Sequence, residues 1–298
     1  DFTNADLSYT NLRNADLTYA DLSNSNLTGA DLRGINLHGT NLVGVDLSGT
    51  DLTGANLSFQ NLASMDVSSI ILDNTILYNT NLSGTNLSGK NLSGLNIKLS
   101  NLKFTDFEFS DLSFAHLTNS VMHTTNFSHT NLENAHLDDA YITNTDFSNS
   151  NISGVNFHHS FILSSDFRDT KLDNVDFSNA RLADSNFDSQ DFQYVDLTNT
   201  DFSPKYFGMY DGGVTEFSGS FLNNADLSNK DLSSVIFSRE NLESQRLVGI
   251  IEGPGSRAVD LSHANLSGAN LSGKNITIVD NLAGIHFFKA DLSNADLS

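Results

Sequence analysis

The sequence predicts an all-β coil, four-sided in section, that takes 20 residues for each circuit. Three observations predict it. Every fifth residue is apolar, from Phe2 through Leu7, Leu12, Leu17 and Leu22 without a miss to Phe202. The residue two before each of these is usually small, as in Ala5, Thr10, Ala15, Ala20, Ser25 and Ala30. Phenylalanine then recurs at a step of 20, at Phe107, Phe127, Phe147, Phe167, Phe187 and Phe207. Helices repeat at 3.6 residues and strands at 2, so a period of five belongs to neither. Self-similarity at a fixed period is the mark of a solenoid.

Each unit of five turns the chain through one corner. The large apolar residue and the small one point inward, and the other three face water. Four units close a circuit, so residues 20 apart lie above one another at about 4.8 Å, the strand spacing. The phenylalanine beat follows, because a close-packed interior requires side-chain size to match from coil to coil. Phe157, Phe177, Phe217 and Phe237, with Leu197 between them, form a second such column. About 15 coils would make a rod roughly 70 Å long.

Composition narrows the function. The net charge of −21 argues against binding a bare nucleic acid backbone, where Lys and Arg must neutralise phosphates. No cysteine is present, so disulfides and thiolate metal sites are ruled out. No apolar run reaches the roughly 20 residues of a membrane span. The chain begins at Asp1 without a visible signal peptide, which reads as a mature or excised piece.

Units such as ADLTY (residues 15–19), ADLSN (20–24), ADLRG (30–34) and ANLSG (264–268) carry Ala, then Asp or Asn, then Leu, then two variable positions. They resemble the pentapeptide-repeat family, and the resemblance covers nearly the whole chain. It implies a right-handed quadrilateral parallel β-helix, with the handedness coming from the family. Residues 1–298 are expected to form a single β-helix, irregular at 203–216 and 248–260. In the first of these segments Gly212 stands where a central Leu is due. In the second, Gly253-Pro254-Gly255 reads as a turn.

Several side chains depart from the pattern. Lys90, Lys230 and Lys274 occupy the small inward position, as do Gln60, Gln190 and Gln245. A lysine there must find carbonyls or extend outward past the corner. One column replaces the usual Asp or Asn before the central residue with Val121, Tyr141, Phe161, Arg181 and Phe221. That strip is the candidate partner-binding surface. His116 and His136 share a column, and an imidazole pair can hold a metal or respond to pH. Their neighbours His123, His129, His158 and His159 read as polar fillers. The Asn-X-Ser/Thr sequons at Asn26, Asn56, Asn81, Asn86 and Asn91 are by-products of the repeat.

No nucleophile elbow, phosphate loop or metalloprotease motif is present, so the expectation is a non-enzyme without cofactor. The pattern starts at Phe2 and still runs at Leu297, and open β-helix ends expose core and unpaired edges. Two readings follow, a truncated piece or end-to-end stacking. The leading functional expectation is a structural or protein-interaction solenoid, in its finer form a cell-surface or extracellular filament subunit. Its partner is a protein or another copy of itself. The family resemblance implies an alternative. Some members resemble duplex DNA in width and charge and protect or inhibit DNA gyrase. The acidic charge and the two irregular segments are similar to that group, whereas the spread of acid over all faces is not.

Overall fold

The computed structural model describes residues 1–183 throughout, and beyond them 185–187, 190, 192, 195–197, 200, 202, 215, 266, 269, 271 and 287–293. The chain divides into two compact units, Asp1–Tyr141 and Ile142–Ser298. Both use the same coil. In the first, parallel pairing joins Asp6 to Asn26, Asn11 to Asp31, Asp16 to Asn36 and Asp21 to Asn41. In the second it joins Asp146 to Asp166, Asn151 to Lys171 and Asn156 to Asp176. Every partner lies 20 residues on, so four units of five complete one circuit.

Backbone chemistry sets the corner. The carbonyl of each central residue accepts the N–H three residues later, as in Thr10 to Leu7 (3.3 Å) and Ala15 to Leu12 (3.1 Å). The second residue after the centre takes positive φ, 58° at Asn4, 56° at Tyr9 and 54° at Asn14. The Asp or Asn before the centre turns its carboxylate or amide oxygen to the N–H two residues on, as Asp6 does for Ser8 (3.1 Å). This local bond is why Asp and Asn fill the position. Between coils, the central N–H donates upward, as in Leu7 to Asn26 O (2.8 Å).

Inside, the central residues are fully buried in Leu22, Leu27, Leu32 and Leu37 and onward through unit 1. The small inward residues satisfy carbonyls that would otherwise be stranded. Thr50 Oγ1 donates to Leu47 O (2.7 Å) and Thr130 Oγ1 to Phe107 O one coil below (2.7 Å). Buried polar groups without partners are costly, so Ser and Thr fit this position as well as Ala.

Four short strands stand out from the turns. They are β1 (Val121–His123), β2 (Tyr141–Thr143), β3 (Phe161–Leu163) and β4 (Arg181–Ala183). β3 and β4 pair in parallel, with Phe161 opposite Arg181. Their sequences, VMH, YIT and FIL above all, are rich in residues that suit a pleated surface. Among the described residues no helix is long and apolar enough to cross a membrane.

Candidate functional site

The phenylalanine column is a stack. Phe107 and Phe127 lie 5.0 Å apart with rings 2° from parallel in unit 1. In unit 2, Phe147 to Phe167 is 4.9 Å and Phe167 to Phe187 is 4.7 Å. All five rings are fully buried. The second column interlocks with it. Phe157 stacks on Phe177 at 5.0 Å and meets Phe147 and Phe167 edge-on at 5.8 and 6.1 Å. Offset stacks and T-shaped contacts are the two favoured ring geometries, and this core uses both. Phe207, Phe217 and Phe237 lie outside the described residues.

The lateral strip begins each of the four strands. Val121 is half-buried and Tyr141 is exposed, at 48%. Phe161 and Arg181 are half-buried, and the Arg181 guanidinium sits 5.1 Å above the Phe161 ring. That cation–π contact covers part of the ring and adds a positive charge to an acidic surface. Phe221 lies outside the described residues.

The corners carry more exposed large apolar side chains than the strip among the described residues. In unit 1, four successive corners hold Leu99, Phe104, Phe109 and Phe114, each with positive φ and each between 45% and 64% exposed. Left-handed backbone costs a bulky residue about 1–2 kcal/mol. Phe109 lies flat on His129 at 4.9 Å and Phe104 meets His123 edge-on at 5.5 Å. On another corner, Tyr19, His38, Phe59 and Tyr78 form a ladder of edge contacts at 5.5, 5.1 and 5.7 Å. The corner side chain leans over the next coil. A Cβ at Gly39 would lie 2.5 Å from the Tyr19 ring, which is one reason that corner is glycine. Sequence reasoning missed these corners. The signal was the run of Gly and Asn two residues after each centre, the residues that tolerate positive φ best.

Electrostatics follow the same local geometry. The hydroxyl and N–H of Ser8 hold the Asp6 carboxyl below its ordinary value, and Thr18 does the same for Asp16. Asp31 is held down to about 2, chiefly by hydrogen bonds from the Arg33 side chain. His116 and His136 stack at 4.8 Å, 11° from parallel. Lone pairs in the planes of stacked rings run parallel rather than converging on one ion. Among the described residues no group of three or more His, Asp or Glu could hold a metal. Burial and the neighbouring His136 push the His116 imidazole below its ordinary value. His158 Nδ1 lies 2.8 Å from Ser178 Oγ, and His159 tilts against His158.

Lys90 finds carbonyls: its Nζ donates to Ser68 O (3.0 Å) and Ile70 O (2.9 Å). Gln60 is buried and donates to Leu37 O, and the buried Gln190 accepts from Thr170 Oγ1 (3.0 Å). Lys230, Lys274 and Gln245 lie outside the described residues. So do segments 203–216 and 248–260, apart from Thr215, whose buried hydroxyl donates to Leu182 O (2.6 Å).

The model of pentapeptide repeats matches the chain in eight copies, within residues 1–34, 30–64, 75–113, 100–139, 122–158, 164–203 and 257–276. The chain belongs to the pentapeptide repeat family. Its coil is the right-handed quadrilateral parallel β-helix of that family. Among solved structures it is similar to HetL, a pentapeptide repeat protein involved in heterocyst differentiation regulation from the cyanobacterium Nostoc sp. strain PCC 7120. Identity is 21%, coverage 97% of this chain and 87% of that one, and the TM-score 0.34. It is also similar to full-length QnrB1, a plasmid-mediated fluoroquinolone resistance protein, at 16% identity, 81% and 93% coverage and a TM-score of 0.37. A pentapeptide repeat protein from the Arabidopsis thaliana thylakoid lumen matches at 24% identity, 32% and 69% coverage and a TM-score of 0.27. No curated protein matches the chain.

Proposed function

We propose that this pentapeptide repeat protein is a non-catalytic protein-interaction solenoid, with residues 1–298 forming a single β-helix. One observation carries the reading. Leu99, Phe104, Phe109 and Phe114 occupy four successive corners where glycine would be cheapest, and they leave their side chains in water. Backbone strain and apolar exposure held together at one level of the coil support a surface kept for a partner. The Val121–Tyr141 strip adds to it. Self-association is one form this reading takes. Linear association of copies would make a filament, in a cell-surface or extracellular setting.

Sedimentation velocity over about 1–100 µM, a range that spans weak protein association, tests self-association. Electron micrographs of the same samples show whether any assembly is linear. Concentration-dependent assembly that weakens in a Leu99→Ser/Phe104→Ser/Phe109→Ser/Phe114→Ser variant supports the corners. A chain that stays monomeric across the range removes self-association and leaves a different protein as the partner.

The net charge of −21 favours a second reading, a DNA mimic that binds a DNA topoisomerase. A supercoiling assay with purified gyrase decides it, and no effect at micromolar protein ends it.

A further inference from the structure

The ladder of unit 1 opens along one stretch. On two sides of the coil it is continuous. The N–H groups of Leu52, Gly54, Leu57 and Phe59 donate to the carbonyls of Ile71 (2.9 Å), Asp73 (2.8 Å), Ile76 (2.9 Å) and Tyr78 (3.0 Å). On the other two sides the pattern stops. Among the described residues, no backbone hydrogen bond joins 41–49 to 61–70, and none joins 65–70 to the coil above. The parallel pairings expected of Asp66 with Asp46 and with Asn86 are both absent. Gly49 N–H turns instead to the Ser69 hydroxyl (3.0 Å). The family match leaves out the same region, residues 65–74.

Three large inward residues lie together at the break. One inward column runs Ala5, Ser25, Val45, Met65, Thr85 and Thr105, and the next runs Thr10, Ala30, Thr50, Ile70, Lys90 and Ser110. Met65, Ile70 and Lys90 fall on adjacent corners, whereas the large inward residue Ile35 stands among Ser25, Ala30 and Thr40 and still accepts the Asn56 N–H (2.9 Å). Extra methylenes in a packed interior push backbone apart. Two of the stranded carbonyls, Ser68 O and Ile70 O, are then taken by the Lys90 ammonium. Bonds from a charged donor are stronger than neutral ones, and one ammonium can serve several acceptors.

We infer that residues 61–70 form a hinge seam in unit 1, held shut by Lys90. The two paired sides act as the axis and the two open sides are free to part. Opening breaks few backbone bonds there, because few are made. On the paired sides the same motion would break rungs such as Leu57 to Ile76 O and Leu77 to Asn96 O. The seam gives the wall of unit 1 a place to bend, and the side chain that sets its resting state is a single lysine.

The cysteine-free chain makes the test direct, because introduced cysteines carry the only spin labels. One pair, Thr28→Cys with Glu108→Cys, spans the open side. A second pair, Thr18→Cys with Lys98→Cys, spans the paired side. In Lys90→Met the distance distribution of the first pair broadens while that of the second stays narrow, and Lys90→Arg restores the first. Amide exchange at Ile70, which donates within the segment to Val67 O (3.2 Å), and at Gly49 accelerates about tenfold, the loss expected for one or two hydrogen bonds. Lys90→Thr, which cannot reach Ser68 O, moves both readouts the same way. Unchanged distances and exchange in Lys90→Met or Lys90→Thr overturn the inference, and so does equal broadening on both sides.

Discussion

Replacing Phe107 with alanine tests the idea that vertical ring stacking holds the coils together. The ring is fully buried and stacks on Phe127 at 5.0 Å. Burial and cavity terms for Phe→Ala together come to about 3–5 kcal/mol. About 0.5–1.5 kcal/mol of further pairing belongs to the stack. Phe107→Leu is the matched control, because the residue below in the column is Leu87 and the site accepts that shape. A near volume-conserving swap costs less than about 1.5 kcal/mol. Phe109→Ala, two residues away, removes a ring that is 64% exposed and touches His129. Its loss is limited to that stack, about 1 kcal/mol or less, because alanine keeps a Cβ in the same left-handed backbone. Urea unfolding followed by far-UV circular dichroism gives the three midpoints. The Phe107 amide, which donates to Asn126 O at 2.8 Å, reports the same loss locally by hydrogen exchange. The expected order of cost is Phe107→Ala, then Phe107→Leu, then Phe109→Ala. Equal losses for Phe107→Ala and Phe109→Ala would refute the reasoning, since burial would then not decide the cost.

Gly39→Ala should destabilise more than Gly49→Ala: both have positive φ, but only at Gly39 does a new Cβ meet the Tyr19 ring. The excess should shrink in a Tyr19→Ser background, measured as a double-mutant cycle in urea. Acid should weaken unit 1 in two windows. The depressed His116 resists a proton that the unfolded chain accepts, so stability is full above about pH 6.5 and falls as pH drops through the lower folded value. His116→Asn, the residue at Asn96 in the same column, should flatten that window in midpoint-versus-pH curves, and an unchanged slope speaks against the assignment. Asp31, held down to about 2 from 3.8, contributes above pH 3.8 and loses its contribution as pH falls toward about 2. Arg33→Gln should raise the Asp31 carboxyl in an NMR titration, and a value that stays near 2 rules out Arg33 as the cause.

The parts of this fold that were legible from sequence are those where one side chain must match another directly above it. Phe107 and Phe127 announce the circuit length because a ring left opposite a smaller residue leaves a void. Lys90 was legible as an oddity, and its need for carbonyls follows from charge in a small inward corner. The seam around it was not, because missing backbone rungs leave no mark on the five-residue side-chain pattern. The apolar corners were hidden for a different reason. Tyr9, Phe59 and Phe109 sit at positions most often held by Gly and Asn, and a bulky residue in left-handed backbone contradicts ordinary preference. The His116–His136 pair was rightly placed in one column, but the ring planes that decide its chemistry depend on rotamers no periodicity encodes.

The left-handed corner has a use beyond shape. Glycine, asparagine, tyrosine, phenylalanine, histidine and leucine all occupy it here with nearly the same φ. One letter in every five can therefore be rewritten without recutting the interior. Two chains with the same wall could carry unrelated exteriors, like one spool wound with differently coloured thread.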